Sequence, residues 1–382
     1  MKLRVMQLVS VLMNAGGERD VQTLALKMRE HGCDTTVCCL TDKHPFLGSM
    51  QSNNIEVITM DISKYWSFKT LVAAFRLGKV LHSRNFDVVH THFFSAGLIG
   101  SVVARIVGIP CVVESVHYIY SWRNPFEKYL FRKTAMLADA LVGVSTATSD
   151  FLIHEAGIPS RKVRTIWDGI DPKPFQVGPS ESDLLKLRAQ LGLSAGPVVG
   201  SVGRLSKEKG HIYLLEAFSQ VLRVIPNALL VFAGDGAEMG FLKKQVKTLG
   251  ITSKVHFLGH RTDIPQLLHF LDVYVQPSLK ETFSLAVCEA MMTGRPIVAS
   301  AVEGLPDLIV HMQTGLLVAP GNSSTLASAI IKLLQNKSIA VALGSQARAF
   351  TLERFTDESM SGQFLDLYES ILMKKRQRKS CR

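Results

Sequence analysis

The stretch LRVMQLVSVLMNAGGERDVQTLALKMREHGCDTTVCCL, residues 3–40, decides the fold class. Its two ends, residues 3–10 and 35–40, are short runs of apolar and β-branched residues, which favour strands. The segment between them, residues 18–31, carries apolar residues at helical spacing on one face: Val21, Leu24, Ala25 and Met28. The stretch therefore predicts a strand, a helix and a second strand, the unit that opens a parallel sheet.

The same alternation continues as far as residue 167. Further strand-like runs follow one another along the chain, at residues 55–60, 87–92, 111–115, 140–145 and 163–167. Helical periodicity separates them, near residues 67–84, 95–107 and 124–137. Because continuous apolar strands alternate with helices, we expect a parallel sheet that helices cover on both faces.

A second alternating set begins after a polar stretch with prolines and glycines, which we assign to a linker at residues 173–196. Its predicted strands are residues 198–202, 228–233, 255–258, 273–276, 296–300 and 315–319. Its last predicted helices lie near residues 323–336, 338–350 and 357–374. The pattern predicts an α/β protein with two doubly wound, Rossmann-like parallel-sheet domains that face each other across a cleft.

The domain boundaries follow from these patterns. We assign residues 1–172 to an N-terminal domain and residues 197–355 to a C-terminal domain. Residues 356–382 form a helix with a basic tail, which we expect to pack back toward the N-terminal domain. Ligands of such sheets bind at the carboxyl ends of strands, so each strand-to-helix turn is a candidate for chemistry.

The net charge and its distribution along the chain limit the classes of binding partner. The 382-residue chain has 43 Lys and Arg against 32 Asp and Glu, a net charge of +11. Residues 374–382 hold six of the basic residues and no acid, so over half of the excess is a tail. We interpret the tail as a solvated C-terminus, and attraction to an anionic membrane surface is the alternative. No known nucleic-acid-binding module matches the sequence, so we expect no nucleic acid as a partner.

The sequence predicts a cytoplasmic protein. The most apolar long segment, residues 97–113, contains Arg105 and Pro110, which argues against a membrane span. The N-terminus runs into a strand without the features of a signal peptide. The six cysteines form no CxxC pair and read as reduced thiols. Peripheral attachment to the inner face of the plasma membrane stays open beside this interpretation.

Two turns could hold a phosphate. Glycines in NAGGE, residues 14–18, let backbone N–H groups approach an anion at the start of a helix. GRLSKEKG, residues 203–210, follows the first strand of the second domain and supplies Arg204 and Lys209. A guanidinium and an ammonium can hold a diphosphate without a metal. A solvated basic loop is the alternative for the second turn.

ETFSLAVCE, residues 281–289, adds a third anion site and two carboxylates. Ser284 is a good N-cap, so the amides that follow Glu281 would point out of the helix start. Eight helical residues separate the α-carbons of Glu281 and Glu289 by about 12 Å, too far for a glycosidase pair. We expect Glu281 at a reacting or hydroxyl-rich group and Glu289 at the vicinal hydroxyls of a ribose.

Histidines end two strands of the first domain. His90 and His92 lie in DVVHTH, residues 87–92, but no Asp, Glu or Cys joins them at ligand spacing, so we expect no metal. His117 follows the strand at residues 111–115 and is a candidate for a polar contact at the reaction centre. A structural histidine with satisfied hydrogen bonds is the alternative.

Together these segments resemble the retaining glycosyltransferases of the GT-B fold, specifically glycosyltransferase family 4. The resemblance rests on an ordered set of motifs: AGGE at residues 15–18, DVVHTH at 87–92, IWDGID at 166–171, GRLSKEKG at 203–210, PSLKETFSLAVCEA at 277–290 and GRPIVAS at 294–300. The chain departs from the family at Ala15, where glycine is usual, and at Asp168, where asparagine is usual.

The resemblance implies that residues 1–172 form the acceptor-side domain and residues 197–355 the nucleotide-sugar-binding domain. It also implies a role for each matched residue. Arg204 and Lys209 would hold the donor diphosphate, Glu281 the donor sugar and Glu289 the nucleotide ribose. Other implied donor contacts come from Phe283, Ser284, Leu285, His260, Arg261, Gly16 and Gly17. His117 would lie near the reacting centre, so the implied catalytic residues are His117 and Glu281.

The resemblance also implies an activity: transfer of a sugar from a nucleotide diphosphate sugar to an acceptor hydroxyl with retention, in glycan, lipopolysaccharide or glycolipid biosynthesis. The implied acceptor is a sugar or a lipid-linked sugar, and neither a cofactor nor a metal is required. A nucleotide-sugar 2-epimerase, a sugar phosphorylase and a catalytically inactive binding subunit remain alternatives.

Two stretches mix basic and aromatic residues and bear on the acceptor side. They are residues 64–79 and 118–133. Such stretches are typical of helices at a lipid interface. An ordinary amphipathic helix is the alternative for the first, with a core stripe at Phe68, Leu71, Val72 and Phe75.

Overall fold

A computed structural model describes residues 2–10, 16–41, 50, 52–60, 68–122 and 124–380. The chain divides into two compact units. Unit 1 comprises Met1–Ile170 and Asp357–Arg382, and unit 2 comprises Asp171–Thr356. Each unit is built on its own parallel sheet, as the alternating pattern predicts.

Unit 1 has a seven-stranded sheet in the order β3-β2-β1-β4-β5-β6-β7, and every neighbouring pair is parallel. Its strands are β1 (Arg4–Val9), β2 (Asp34–Cys39), β3 (Glu56–Thr59), β4 (Val88–His92), β5 (Cys111–Val116), β6 (Ala140–Gly143) and β7 (Val163–Thr165). The helices among them are α1 (Gly16–Glu30), α2 (Phe68–Arg84), α3 (Phe93–Val107), α4 (Pro125–Ala135) and α5 (Thr146–Asp150). β4 and β5 are buried along their whole length and β1 is buried beyond Arg4, as expected for central strands covered on both faces.

Unit 2 has a six-stranded parallel sheet in the order β10-β9-β8-β11-β12-β13. Its strands are β8 (Val198–Val202), β9 (Leu229–Ala233), β10 (Val255–Gly259), β11 (Val273–Gln276), β12 (Ile297–Ser300) and β13 (Leu316–Val318). Its helices are α6 (Lys173–Gln176), α7 (Glu181–Gln190), α8 (His211–Val224), α9 (Met239–Thr248), α10 (Ile264–Phe270), α11 (Leu285–Met292), α12 (Leu305–Leu308), α13 (Ser323–Gln335) and α14 (Lys337–Arg354).

The strand order in both units reverses direction beside the first strand, between β1 and β4 and between β8 and β11. In such sheets, ligands bind outside the carboxyl ends of the strands at this reversal. The loops that follow β1, β4, β8 and β11 are therefore the places to search for function.

The range 173–196, expected as a linker, contains regular structure. Ser180 caps α7, because its hydroxyl accepts a hydrogen bond from the backbone N–H of Asp183. Arg188 then donates to the backbone oxygens of Ser194 and Gly196, which fixes the way into β8. The polar composition that suggested a linker is that of a mostly exposed helix, in which Leu187 is buried, and it obscured this element.

The last helix, α15 (Asp357–Ser380), is part of unit 1. Met360, Phe364, Tyr368 and Leu372 recur at a spacing of four residues and join the core beside β1, β4 and β5. The Tyr368 hydroxyl lies 2.7 Å from Nδ1 of His90. The helix thus covers one face of the sheet with apolar contacts and one buried hydrogen bond.

The core stripe considered for helix α2 from the sequence is wrong. Leu71, Val72 and Phe75 were considered as a core stripe, yet they are exposed, Leu71 by 69% and Phe75 by 66%. The buried positions are Ala73, Leu77 and Leu81, which recur every four residues on another face. The apolar residues of this helix cover nearly its whole circumference, so periodicity alone could not choose the inward face. The Phe68 side chain, like residues 64–67, lies outside the described residues.

Helix α3 packs unusually close to the sheet. A side chain at Gly100 would overlap Leu8 and would come within 2.7 Å of the Thr91 methyl, and one at Gly97 would overlap the Glu114 carboxylate. Glu114 is buried on β5, and burial raises the pKa of its carboxyl to about 8. Small residues on this face of α3 therefore let the helix lie directly on β1, β4 and β5.

In the described part of the chain, no single helix is long and apolar enough to cross a membrane. Helices α13 and α14 have the length and apolar composition of a membrane span only when taken together, and the chain bends by 102° between them.

The close approach of α3 predicts opposite effects for the same substitution at two helical glycines. Gly100→Ala adds a methyl where no room exists, at a cost of about 1–3 kcal/mol, which offsets the gain of about 1 kcal/mol in helix propensity. Gly362→Ala in α15 meets no atom within 4 Å and gains the propensity alone. In urea unfolding, Gly362→Ala should be more stable than Gly100→Ala by about 1–3 kcal/mol. Equal stabilities would contradict the packing of α3.

Candidate active site

The loop after β8 carries one part of the candidate site in unit 2. It contains GRLSKEKG, in which Lys207–Lys209 form one 3₁₀ turn and Gly210 has a φ of 64°. A side chain at Gly210 would overlap the backbone oxygen of Pro277, in the loop after β11. Glycine is therefore needed here both for the left-handed backbone and for the close approach of the two loops.

Glu208 ties these two loops together. Its backbone oxygen accepts the N–H groups of Leu279 and Lys280, at 2.8 and 3.2 Å. Its carboxylate Oε1 accepts from Ser206 Oγ at 2.7 Å and from Arg204 Nη2 at 3.1 Å, within the GRLSKEKG loop. Sequence reasoning missed Glu208, because a single acid in a basic loop looks like solvated charge.

Lys209 and Glu281 meet at the centre of the site. Lys209 Nζ lies 2.5 Å from Glu281 Oε2, and the Glu281 side chain is only 8% exposed. Gln276 Nε2 and Ser278 Oγ also donate to Oε2, at 3.0 and 3.1 Å. Among the described residues Oε1 has no hydrogen-bond partner, so that oxygen remains available to a ligand.

The backbone around Glu281 is held as well. Its N–H donates to Glu303 Oε2 at 2.6 Å, and its backbone oxygen accepts the N–H of Gly304 at 3.1 Å. Burial raises the pKa of the Glu303 carboxyl. Gln276, Ser278 and Glu303 were not predicted, because uncharged or isolated polar residues give no sequence signal for this role.

Helix α11 begins directly after this cluster. Ser284 is its N-cap, and its hydroxyl accepts the N–H of Val287 at 3.4 Å, as the sequence predicted. The amides of Leu285 and the residues around it form the positive end of the helix. Phe283 packs edge-on against Phe355, with ring centroids 5.9 Å apart. Glu289 lies buried on the second turn of the helix.

Arg204 and Lys209 differ in their freedom. The Arg204 side chain is 68% exposed and has one ion pair, with Glu208 at 3.1 Å. Lys209 is largely buried against Glu281. A mobile guanidinium can follow a ligand, whereas the fixed ammonium defines one position for an anion.

His260 and Arg261 follow β10, and β9 lies between this strand and β8, the strand that leads to Lys209. His260 is exposed, and Arg261 forms a bidentate pair with Asp263 at 2.7 and 2.6 Å. That pair lowers the pKa of the Asp263 carboxyl. Among the described residues, no hydrogen bond or ion pair joins His260 or Arg261 to Arg204 or Lys209.

In unit 1 the structure brings Gly17 and His117 together. Gly16 and Gly17 begin α1, and a side chain at Gly17 would come within 2.9 Å of the Phe93 ring and 3.5 Å of His117 Nδ1. His117 is buried, and burial lowers the pKa of its imidazole to about 3. Ala15, at the departure from the family pattern, lies outside the described residues.

The other two histidines are hydrogen-bonded inside unit 1. His90 bonds to Tyr368 and to Ser115, at 2.7 and 2.8 Å. His92 bonds to Gln7 Oε1 through Nε2 at 2.7 Å, and its Nδ1 lies 3.1 Å from His117 Nε2. Burial lowers the imidazole pKa of both His90 and His92, so both are neutral near pH 7.

Comparison with known proteins identifies the family. Residues 15–173 match the model described as Glycosyltransferase Family 4, and residues 185–350 match the model described as Glycosyl transferases group 1. The fold is that of the GT-B glycosyltransferases, and the chain belongs to glycosyltransferase family 4. This confirms the family and the fold that the sequence motifs predicted.

Several relatives match nearly end to end. The chain is 27% identical to the UDP-Gal:alpha-D-GlcNAc-diphosphoundecaprenol alpha-1,3-galactosyltransferase of Escherichia coli, over 86% of each chain. It is 26% identical to the N-acetyl-alpha-D-glucosaminyl L-malate synthase of Bacillus anthracis, over 94% of this chain and 95% of the relative. The crystal structure of Anabaena Alr3699/HepE in complex with UDP superposes with a TM-score of 0.87 at 26% identity, over 97% and 100% of the two chains. The protein is accordingly a glycosyltransferase that acts on nucleotide sugars.

The buried ion pair at the centre of the site predicts a stability difference within one loop. Lys209→Met leaves the Glu281 carboxylate buried without its counter-ion and should cost about 3 kcal/mol of unfolding free energy. Adding Glu281→Gln removes the unpaired charge and should recover more than half of the loss. Lys207→Met, at an exposed position of the same turn, should stay within about 0.5 kcal/mol of the wild type. Denaturant unfolding at pH 8 measures all four proteins, and equal losses for Lys207→Met and Lys209→Met would contradict the role of the pair.

Proposed function

We propose that the protein transfers a sugar from a nucleotide diphosphate sugar to an acceptor hydroxyl with retention of anomeric configuration. The observation that carries the proposal is the convergence of Lys209, Glu281 and the start of α11 at the carboxyl ends of β8 and β11. A diphosphate needs fixed positive charge, and a sugar needs hydrogen-bond acceptors. The unit 2 site supplies both within one polar cluster.

The leaving diphosphate gains negative charge as the bond to the sugar breaks. In the proposed mechanism, Arg204, Lys209 and the amides of Phe283, Ser284 and Leu285 stabilise that charge. These groups act more strongly on the transition state than on the bound donor, which lowers the barrier. Because cations and amides neutralise the diphosphate, the transfer needs no metal ion at the phosphates.

The carboxylates have separate tasks. Glu281 is held by three donors on Oε2, so Oε1 can accept hydroxyl groups of the donor sugar or face its developing positive charge. Glu289 binds the ribose hydroxyls in this proposal. His260 and Arg261 lie beside the base, and Gly16, Gly17 and His117 contact the reacting sugar, as the family resemblance implies.

The relatives support a uridine nucleotide and a glycan or lipid-linked acceptor. Anabaena Alr3699/HepE forms crystalline complexes with UDP and with UDP-glucose. The Escherichia coli relative is named for a UDP-Gal donor and a diphosphoundecaprenol-linked acceptor. We therefore place the chain in polysaccharide, lipopolysaccharide or glycolipid biosynthesis, with a UDP-sugar as the donor to test before others.

An exposed face of unit 1 supports attachment to an anionic membrane surface. On α2, Leu71 and Phe75 are exposed, and Lys79 Nζ lies 4.8 Å from the centre of the Phe75 ring. On α4, Tyr129 is exposed with Lys133 Nζ 5.4 Å from its ring centre. Exposed apolar groups beside cations bind the boundary between headgroups and acyl chains. We propose peripheral attachment at the inner face of the plasma membrane.

Turnover by Arg204→Ala tests the proposed function. UDP-, GDP- and ADP-sugars are supplied with saccharide and lipid-linked acceptors, and NMR follows the anomeric configuration of donor and product. We expect a product with the configuration of the donor, and kcat for Arg204→Ala at least about 100-fold below wild type, a loss of about 2.7 kcal/mol. Lys207→Met, in the same loop, should keep kcat within about threefold.

Other outcomes would overturn the proposal. Donor isomerisation without an acceptor would indicate a 2-epimerase, and dependence on inorganic phosphate would indicate a phosphorylase. Donor binding without any turnover would indicate an inactive binding subunit. An inverted product would contradict retention, and an unchanged kcat for Arg204→Ala would remove that residue from the mechanism.

Vesicle sedimentation tests the membrane proposal. Phe75→Ser combined with Lys79→Gln should lower the fraction bound to vesicles with anionic lipid by at least about tenfold. The double change removes an apolar contact with the lipid and a cation whose attraction to an anionic surface contributes roughly 1 kcal/mol. Lys247→Gln, on the exposed surface of α9 in unit 2, is the matched control and should bind like the wild type. Equal binding to neutral and anionic vesicles would contradict the electrostatic part of the proposal.

A further inference from the structure

Unit 2 has a cavity at the amino ends of its strands, the end opposite the diphosphate site. The cavity has a volume of about 250 Å³ and is lined by residues of α7, of the end of α10 and of the segments that enter β11 and β12. Helix α11 runs between the two ends, since Ser284 caps its start and Arg295, which lines the cavity, follows its end. The proposed transfer therefore does not use this cavity.

Arg295 lines the cavity with a guanidinium group that lacks a partner. Its Nε is buried without a hydrogen bond, and among the described residues no carboxylate forms an ion pair with it. Burial lowers the pKa of the guanidinium, and the charge of Asp272 offsets only part of that effect. A desolvated cation is unfavourable unless another group binds it. An anion in the cavity would supply the missing partner.

Arg188, on α7, places a second positive charge in the cavity wall. Its guanidinium is held by the backbone oxygens of Ser194 and Gly196 and lies over the Phe270 ring, with Cζ 5.0 Å from the ring centre. Within the described part of the chain, no carboxylate forms an ion pair with this residue either. Two arginines with unpaired charge favour an oxyanion as the ligand, because guanidinium groups bind phosphate and carboxylate oxygens strongly.

The same cavity offers hydrogen-bond acceptors. Asp272 Oδ2 accepts the N–H of Val198 at 2.7 Å, and its Oδ1 has no partner among the described residues. His269 Nε2 donates to the backbone oxygen of Phe175 at 3.1 Å, so Nδ1 of the neutral ring carries a lone pair. Burial lowers the pKa of this imidazole, which keeps it neutral near pH 7. Glu181 adds an exposed carboxylate to the lining.

We propose that this cavity binds a monosaccharide phosphate, with the phosphate on the two arginines and the sugar hydroxyls on the three acceptors. An inorganic anion would leave the acceptors unused and would lie near two carboxylates, whereas an uncharged sugar would leave Arg295 unpaired. The volume lies below the range of about 300–1,000 Å³ that is typical of sites for drug-sized ligands, which favours a ligand of monosaccharide size. The sequence could not reveal the site, because its residues come from three separate segments.

Binding tests the proposal without any need for turnover. Full-length protein is titrated by calorimetry with glucose 1-phosphate, glucose 6-phosphate, glucose and inorganic phosphate. We expect at least one of the two glucose phosphates to bind, and glucose and inorganic phosphate each to bind at least about tenfold more weakly. Arg295→Met should weaken binding of the glucose phosphate by at least about tenfold, because it removes charge-assisted hydrogen bonds.

Control variants show where the probe binds. Arg223→Met, at an exposed position of α8, and Arg204→Met, at the diphosphate site, should both bind the glucose phosphate like the wild type. If circular dichroism shows that Arg295→Met is unfolded, Leu185→Trp replaces it, since a larger side chain at this exposed position of the lining should obstruct the cavity and cause a similar loss.

Three results would overturn the proposal. The first is no binding by either glucose phosphate, and the second is inorganic phosphate that binds as tightly as they do. The third is binding that Arg204→Met abolishes and the cavity variant retains, which would locate the ligand at the diphosphate site.

Discussion

The Lys209–Glu281 ion pair is the contact on which the unit 2 site depends. Both loops that carry these residues lack strands and long helices, so packing of regular elements cannot fix them. The pair bonds at 2.5 Å in a region with little solvent, where an ionic hydrogen bond is stronger than at the surface. Gln276 and Ser278 add donors to the same carboxylate oxygen and fix its direction. The glycine at 210 and the backbone of Glu208 bring the two loops close enough for this to happen.

The two units carry different kinds of side chain at the carboxyl ends of their strands. Unit 2 presents Arg204, Lys209 and the positive end of α11, which suit an anion. Unit 1 presents His117 beside the buried carboxyls of Asp20 and Asp168, groups that can form hydrogen bonds with hydroxyl groups. The difference follows from strand-end residues alone, since both sheets have the same topology around the reversal at their first strand. A single architecture thus supports two kinds of binding chemistry.

Much of the fold could be predicted because both sheets are parallel and buried on two faces. Strands such as β8, β9 and β12 then appear as largely apolar runs, and the GRLSKEKG loop directly follows one of them. Helix α7 was hidden by its polar composition, and the inward face of α2 by apolar residues on several sides. Glu208 and Glu303 could not be predicted, because their contacts join segments that are separated in sequence. Gln276 could not be predicted because a single uncharged residue at a strand end gives no signal for this role.

The central claim is that the unit 2 site recognises a diphosphate by fixed positive charge. Calorimetric titration of matched pairs, UDP with UMP, GDP with GMP and ADP with AMP, tests it directly in metal-free buffer at low salt. For the base that binds, the diphosphate should bind at least about tenfold more tightly than the monophosphate, a difference of about 1.4 kcal/mol. The advantage should shrink as salt screens the charges. A monophosphate that binds as tightly as its diphosphate, or no binding by any of the six, would contradict the account.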